Sequence, residues 1–212
     1  MTQIIPAILT DNPDELNMKL ASLVGLTDWV QIDIMDGMFV PQTSIGLEEL
    51  AGQKPPFKLD IHLMVNNPQQ YLGGCRRAGA KRVIFHLEGA GNPETVLDQL
   101  GALGFERGIA LRPQTSFRDL EPYLDHVDVI LLMSVEPGKQ GQTFIPETAE
   151  RIHRLRQIAP RVKIEVDGGI NADNILAVAE AGADYLAIGS AILNAPDVAA
   201  AIERLKAKLN TR

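Results

Sequence analysis

A chain of 212 residues suits one large domain better than two small ones and is long enough to bury a sizeable core. Its 27 acidic residues outweigh 20 basic ones, giving a formal charge of -7 with no Lys/Arg-rich block. That balance argues against a nucleic-acid or anionic-membrane surface while leaving room for a local pocket for a phosphorylated metabolite. The single cysteine, Cys75, cannot form an internal disulfide, and "GGCRRAGA" offers no second thiol or histidine at ligand spacing, so a reducing compartment fits. Neither "MTQIIPAILTDNPDEL" nor any later run reads as a secretion signal or a membrane span, and a cytoplasmic location is expected.

In chain order, short Val/Ile-rich segments alternate with helix-period segments, the pattern of parallel strands joined by crossover helices. Eight strands are predicted, at 3–9, 29–34, 57–64, 82–87, 107–113, 127–135, 162–167 and 185–190, with a last helix at 197–209. Gly25, Gly79, Gly104 and Gly182 each stand where a helix should stop a few residues before the next strand, suited to the left-handed conformation that ends a helix. One unit repeated, with no linker composition anywhere, predicts a single domain over 1–212: an α/β fold closed into an eight-stranded parallel β/α (TIM) barrel. An open doubly wound sheet is the alternative, weakened because no G-x-G-x-x-G follows the first strand.

The polar residues are concentrated near the strand ends. Alternation sends Gln31, Asp33 and Met35 to one side of "WVQIDIMDGMFVPQ", Asp60 and His62 to one side of the third strand, and Glu165 and Asp167 to one side of the seventh. The residues between them, Ile32, Ile61 and Val166, are aliphatic and suit the face under the helices, so the carboxylates point into the barrel. A single inward acid is readily structural, paired across the interior. Several together, on strands with few inward Lys or Arg, favour metal binding or catalysis, because an unpaired buried carboxylate costs several kcal/mol.

Strands two and seven of an eight-stranded ring stand three steps apart, so Asp33 and Asp167 can flank one carbon as a two-base pair. A divalent cation held by these aspartates and His62 would stabilise the resulting enediolate. The loops "EPGKQGQTF", "DGGI" and "IGSAI" after strands six, seven and eight allow close approach of backbone N–H groups to a phosphate, although glycine-rich turns are common in this fold whatever the function. His86 ends strand four, either facing the mouth or serving as a satisfied structural histidine, and His126 and His153 read as surface groups. Asp36, beside Gly37, reads as a turn-former.

The stretches "IDIMDGMFVP", "LDIHLMV", "VEPGKQGQTFIPE", "IEVDGGIN" and "AGADYLAIGSAI" resemble the ribulose-phosphate 3-epimerase family in order and spacing over essentially the whole chain. The resemblance implies a barrel of the ribulose-phosphate-binding type and a metal-dependent isomerase of pentose-phosphate metabolism that interconverts D-ribulose 5-phosphate and D-xylulose 5-phosphate. It implies Asp33 and Asp167 as acid/base pair and metal ligands, His62 as a further ligand, and Met35, Met64 and Met133 lining the reacting carbons. It also implies a phosphate held by backbone at Gly138, Gly141, Gly168, Gly169, Gly189 and Ser190.

Departures from the family pattern gather at the same place: Gln31 replaces a metal-binding His, Ala7 a Ser, Met38 a His, Gln42 and Arg112 two Asn residues, and Lys139 and Gln140 an aromatic and a Gly. Gln31 leaves two outcomes open. Either it binds through its amide oxygen and the site keeps a weaker metal among Zn, Fe, Mn and Mg, or the metal is lost and Gln31 only hydrogen-bonds. Lys139 is either a solvated loop residue or a cation reaching the phosphate. Arg112 is expected to contact substrate or pair with an inward acid. The alternatives to the epimerase reading are an enzyme for another phosphorylated ketose with weakened or absent metal, and a non-catalytic sugar-phosphate-binding barrel. A homo-oligomer stays open.

Overall fold

In a computed structural model, which describes residues 2–51, 53 and 55–210, eight parallel strands close into one barrel in sequence order, with β1 returning to pair with β8. The strands are β1 (Gln3–Ile8), β2 (Trp29–Met35), β3 (Lys58–Met64), β4 (Ala80–His86), β5 (Glu106–Leu111), β6 (Val129–Met133), β7 (Lys163–Asp167) and β8 (Tyr185–Ile188). Around them lie α1 (Pro13–Leu23), α2 (Glu48–Ala51), α3 (Leu72–Ala78), α4 (Pro93–Ala102), α5 (Phe117–Leu120), α6 (Thr148–Ile158), α7 (Ile175–Glu180), α8 (Ser190–Leu193) and α9 (Val198–Leu209). Closure rules out the open doubly wound alternative. Residues 1, 52, 54, 211 and 212 of the expected domain lie outside the described residues.

Local chemistry starts and stops the helices as the sequence suggests. Asn12 caps α1 by accepting from the N–H groups of Asp14 and Glu15, with Pro13 in the first turn, and Asn92 and Asp197 cap α4 and α9 the same way. Gly25, Gly79, Gly104 and Gly182 all have positive φ, from 77° to 115°. No described helix is long and apolar enough to cross a membrane.

Strand alternation divides the apolar residues between two cores. Val30, Ile32 and Ile34 of β2, Leu59, Ile61 and Leu63 of β3, and Ile164 and Val166 of β7 belong to the large cluster between sheet and helices. Ile84, Ala110, Leu131 and Met133 form a smaller cluster within the ring. Burying each such side chain contributes about 1.5–3 kcal/mol, which is what holds the helices on the outside and leaves the inward face for chemistry.

The lower interior is occupied by a charged group that accounts for two of the predicted acids. Arg82 of β4 is fully buried, and its Nη1 donates to Asp60 at 2.8 Å and Glu165 at 2.9 Å. Its Nε and Nη2 both reach Glu106 at 3.2 Å, and the guanidinium stacks between Trp29 (4.4 Å) and Tyr185 (4.5 Å). The expectation that the several inward acids together signal metal binding or catalysis is therefore corrected for Asp60 and Glu165. An inward arginine answers them, and they form the floor beneath the site.

Candidate active site

Asp33 and Asp167 arrive from β2 and β7, and a single nitrogen joins them. Gln31 Nε2 donates to Asp33 Oδ1 and to Asp167 Oδ2, each at 2.9 Å, so the two carboxylates face one another across the mouth. Register explains the meeting. Asp33 lies beside His62, and Asp167 lies between Met133 and Ala187, with Ser134 Oγ donating to the Asp167 carbonyl at 2.8 Å to hold that strand end.

His62 completes the group. Its Nδ1 lies 3.1 Å from Asp33 Oδ1 and 3.4 Å from Asp167 Oδ2, and the ring is fully buried. Burial alone would depress the imidazole, but hydrogen bonds to Asp167 and Asp33, together with their charges, outweigh it and hold His62 up at about 10. Burial raises the Asp33 carboxyl, opposed by the His62 hydrogen bond and reinforced by the charge of Asp167. Ligand atoms of Asp33, His62 and Asp167 lie within 4.8 Å of one another, so these three residues could hold a metal ion. Gln31, also fully buried, has an Oε1 with no hydrogen-bond partner among the described residues.

The acids open onto a cavity of about 550 Å³, counting its open mouth, which the glycine loops after β6, β7 and β8 enclose. Gly138, Gly141, Gly168, Gly169, Gly189 and Ser190 all line it, as do Met64, Met133 and the exposed Lys139. At Gly169 the geometry excludes a side chain twice over: φ is +63°, and a Cβ would stand 2.6 Å from Phe144 N and 2.8 Å from Gln142 O. Two backbones thus meet without a side chain between them, leaving peptide groups as the lining.

Two of the expected lining residues pack against the loop after β2. Met35 packs with Met64 and Val40 and borders a groove beside Gln42 and Gly138 that adjoins the cavity at Leu9, Gly138, Lys139 and Gln140. The Arg112 guanidinium lies 4.3 Å over the Phe39 ring, Nη2 donates to Phe39 O at 3.0 Å, and the nearest acid is Glu136 at 3.9 Å, so aromatic stacking and a loop carbonyl win over an inward acid. Asp36 braces the turn after β2, accepting from Met38 and Phe39 N–H groups at 2.8 Å and from Asn66 N–H at 2.7 Å.

His86 and Glu88 are the neighbours that sequence reasoning undervalued. His86 Nε2 lies 3.1 Å from His62 Nε2, and His86 Nδ1 lies 3.1 Å from Glu88 Oε2. The signal was present in "RVIFHLE": with Arg82 and Ile84 facing inward, alternation sends His86 inward as well.

Known proteins resemble this chain in both sequence and structure. A family model described as the ribulose-phosphate 3 epimerase family matches residues 3–193. The ribulose-phosphate 3-epimerase of Mycobacterium leprae is 40% identical, over 96% of this chain and 93% of that protein. The one from Synechocystis is 38% identical over 94% and 90%, and the cytoplasmic isoform of Oryza sativa 36% identical over 96% and 92%. Among solved structures, 3-hexulose-6-phosphate synthase from Salmonella typhimurium superposes with a TM-score of 0.76 at 16% identity, covering 98% of both chains. KGPDC from Streptococcus mutans gives 0.76 at 12%, covering 99% of this chain and 97% of that one; at such identities the likeness speaks for the fold.

Proposed function

The chain belongs to the ribulose-phosphate 3 epimerase family, and from that premise we propose that it interconverts D-ribulose 5-phosphate and D-xylulose 5-phosphate with Asp33 and Asp167 as the two bases. The observation that carries the assignment of the bases is the pair of 2.9 Å contacts from one Gln31 nitrogen to carboxylates on strands from opposite sides of the mouth. Groups so placed can address the two faces of one carbon. One carboxylate removes the C3 proton next to the ketone, and the resulting carbanion is delocalised onto oxygen as an enediolate. The opposite carboxyl, as the acid, returns a proton to the other face and inverts the centre. The raised Asp33 carboxyl suits this work, because a group shifted toward neutrality can both hold and release a proton.

The residues present fit a divalent cation. Two carboxylates and an imidazole cluster within bonding range of one centre, and the unpartnered, buried Gln31 Oε1 is an acceptor in need of a positive partner. Asp33, His62 and Asp167 would hold the ion, and the Gln31 amide, whose nitrogen stands between the carboxylates in this structure, would have to turn over to offer its oxygen in place of a second imidazole. A donor set so rich in oxygen favours manganese or magnesium over zinc or iron. When bound, the ion supplies positive charge to the enediolate oxygens. In this structure the Gln31 amide nitrogen and the His62 ring are the groups that stand between the carboxylates.

The phosphate is assigned to backbone at Gly138, Gly141, Gly168, Gly169, Gly189 and Ser190, with Met64 and Met133 beside the reacting carbons and Lys139 at the rim. A cytoplasmic location is part of the proposal; the single cysteine, Cys75, is free and buried, and burial pushes its thiol up to about 12. The test is turnover on a panel of ketose phosphates with manganese or magnesium supplied. Preference for ribulose 5-phosphate is expected, preference for another ketose phosphate would move the substrate assignment, and inactivity on every member would leave a binding protein.

A further inference from the structure

The tip of the loop after β6 carries a side chain that the two-base reaction leaves unused. Lys139 and Gln140 stand between Gly138 and Gly141, whose φ values of 112° and 72° let the chain reverse on either side of the pair. Gln142 fixes that turn. Its Nε2 donates to Glu136 O at 2.6 Å and to Lys139 O at 2.9 Å, and the Glu136 carboxylate is held in turn by the Gln114 amide. With the Lys139 carbonyl drawn back to Gln142, the next residue, Gln140, lines the cavity together with Gly168, Gly169 and Gly189. We propose that Gln140 is a phosphate-binding residue and a determinant of specificity for the phosphorylated end of the substrate, its side-chain amide donating to the phosphate oxygens alongside the backbone N–H groups of the loops after β7 and β8.

The position of the amide carries the assignment. A Cβ built on Gly189 would stand 3.3 Å from Gln140 Nε2 and 3.8 Å from its Cδ, so the side chain reaches across from the β6 loop to the end of β8. The same point lies 3.1 Å from the Ala7 carbonyl oxygen, and backbone and amide meet there with no room for a further side chain. Neither Gln140 Nε2 nor the N–H groups of Gly168, Gly169 and Gly189 has an acceptor among the described residues. Donors without acceptors thus converge on one cavity from three loops. An anion rich in acceptors belongs where they meet, and a phosphate monoester offers three terminal oxygens that each accept more than one hydrogen bond.

The chemistry of the amide gives the contact its discrimination. Lys139, beside it, is exposed and acts as a point charge that salt screens. A neutral amide contributes only through direct contact, and its hydrogen bond to an ionised oxygen is roughly twice as strong as one to a neutral hydroxyl. Gln140 therefore separates a phosphoryl end from one that is merely polar.

The inference rests on the reading of this cavity as a phosphate site and not on the epimerase chemistry. Inorganic phosphate is the probe, because titration calorimetry measures its binding whether or not a ketose phosphate is turned over. Gln140 is exposed, so its variants should fold and melt like the natural protein. Gln140→Ala should raise the Kd for inorganic phosphate about tenfold, and Gln140→Glu, of the same shape but with a negative charge in place of the donor, should raise it further. KM for ribulose 5-phosphate should rise in parallel with kcat little changed, while inhibition by unphosphorylated ribulose stays the same. If the natural protein turns over no ketose phosphate and its phosphate affinity still falls in this way, the epimerase reading fails and the role of Gln140 stands. Undiminished phosphate affinity in Gln140→Ala, or equal weakening of phosphate and of unphosphorylated ribulose, overturns the proposal. So does a natural protein that binds no inorganic phosphate.

Discussion

Replacing Arg82 by Met should separate the floor of the barrel from its chemistry. Arg82 is fully buried with three carboxylates on its guanidinium and two rings against its faces. Its loss leaves Asp60 and Glu165 buried beside one another without a cation, and breaking a buried pair in this way costs about 3–5 kcal/mol, a large share of a typical folding free energy of about 5–15 kcal/mol. With a urea slope of about 1–3 kcal/mol per molar, the unfolding midpoint should fall by about 1–5 M. Trp29, the only tryptophan, lies 4.4 Å from the guanidinium, so its fluorescence follows unfolding from within the affected layer. Glu165→Gln should behave differently. Burial, followed by the charge of Asp60, already raises that carboxyl well above its usual range, and its Oε1 has no partner among the described residues. A neutral amide should cost less than about 1 kcal/mol and leave turnover intact. A stable Glu165→Gln protein without turnover would refute the reasoning, because it would make Glu165 part of the chemistry.

Gln31→His should raise Zn²⁺ affinity on the order of tenfold or more, measured by competition with a chromophoric chelator, since imidazole is the stronger ligand for that ion; unchanged affinity would remove Gln31 from the ion's surroundings. Gly169→Ala should cost about 1–3 kcal/mol for its backbone and raise KM for the phosphorylated substrate more than it lowers kcat, in urea melts and steady-state kinetics together. Glu88 gives a pH dependence with a definite sign. Its folded value of about 2 lies below the ordinary 4.5, so its contribution is present in full above about 4.5 and is lost as pH falls toward 2. That contribution is at most about 3 kcal/mol, less for its partial exposure. The stability difference between the natural protein and Glu88→Gln should shrink across that window and be flat above it.

The barrel was legible because its two periods are written plainly: Ile32, Ile61 and Val166 alternate with Gln31, Asp60 and Glu165, and the glycines that stop the helices recur before the strands. The same alternation aimed Asp33, His62 and Asp167 at one point. Arg82 was not legible for a local reason. It follows Lys81 at the start of β4, where two adjacent cations read as a solvated strand end, and only the inward Ile84 and His86 beyond it reveal its direction. Strand six was drawn too long, at 127–135, because "VDVILLMSV" stays apolar after the ladder ends at Met133 and Ser134 turns to serve Asp167 and Gly168. The packing of Met35 on Val40 and of Arg112 on Phe39 was not legible, because both neighbours come from one loop whose path no strand period specifies.

Exchange of the C3 hydrogen with solvent deuterium, followed by NMR for ribulose 5-phosphate and xylulose 5-phosphate separately, tests the two-base assignment most directly. The unaltered protein should wash deuterium into both. Asp33→Asn and Asp167→Asn should each abolish interconversion, any residual exchange being confined to one sugar phosphate in the first variant and to the other in the second, because each retains the base on one face. Interconversion surviving either substitution in a folded protein, or residual exchange on the same sugar phosphate in both, would contradict the account.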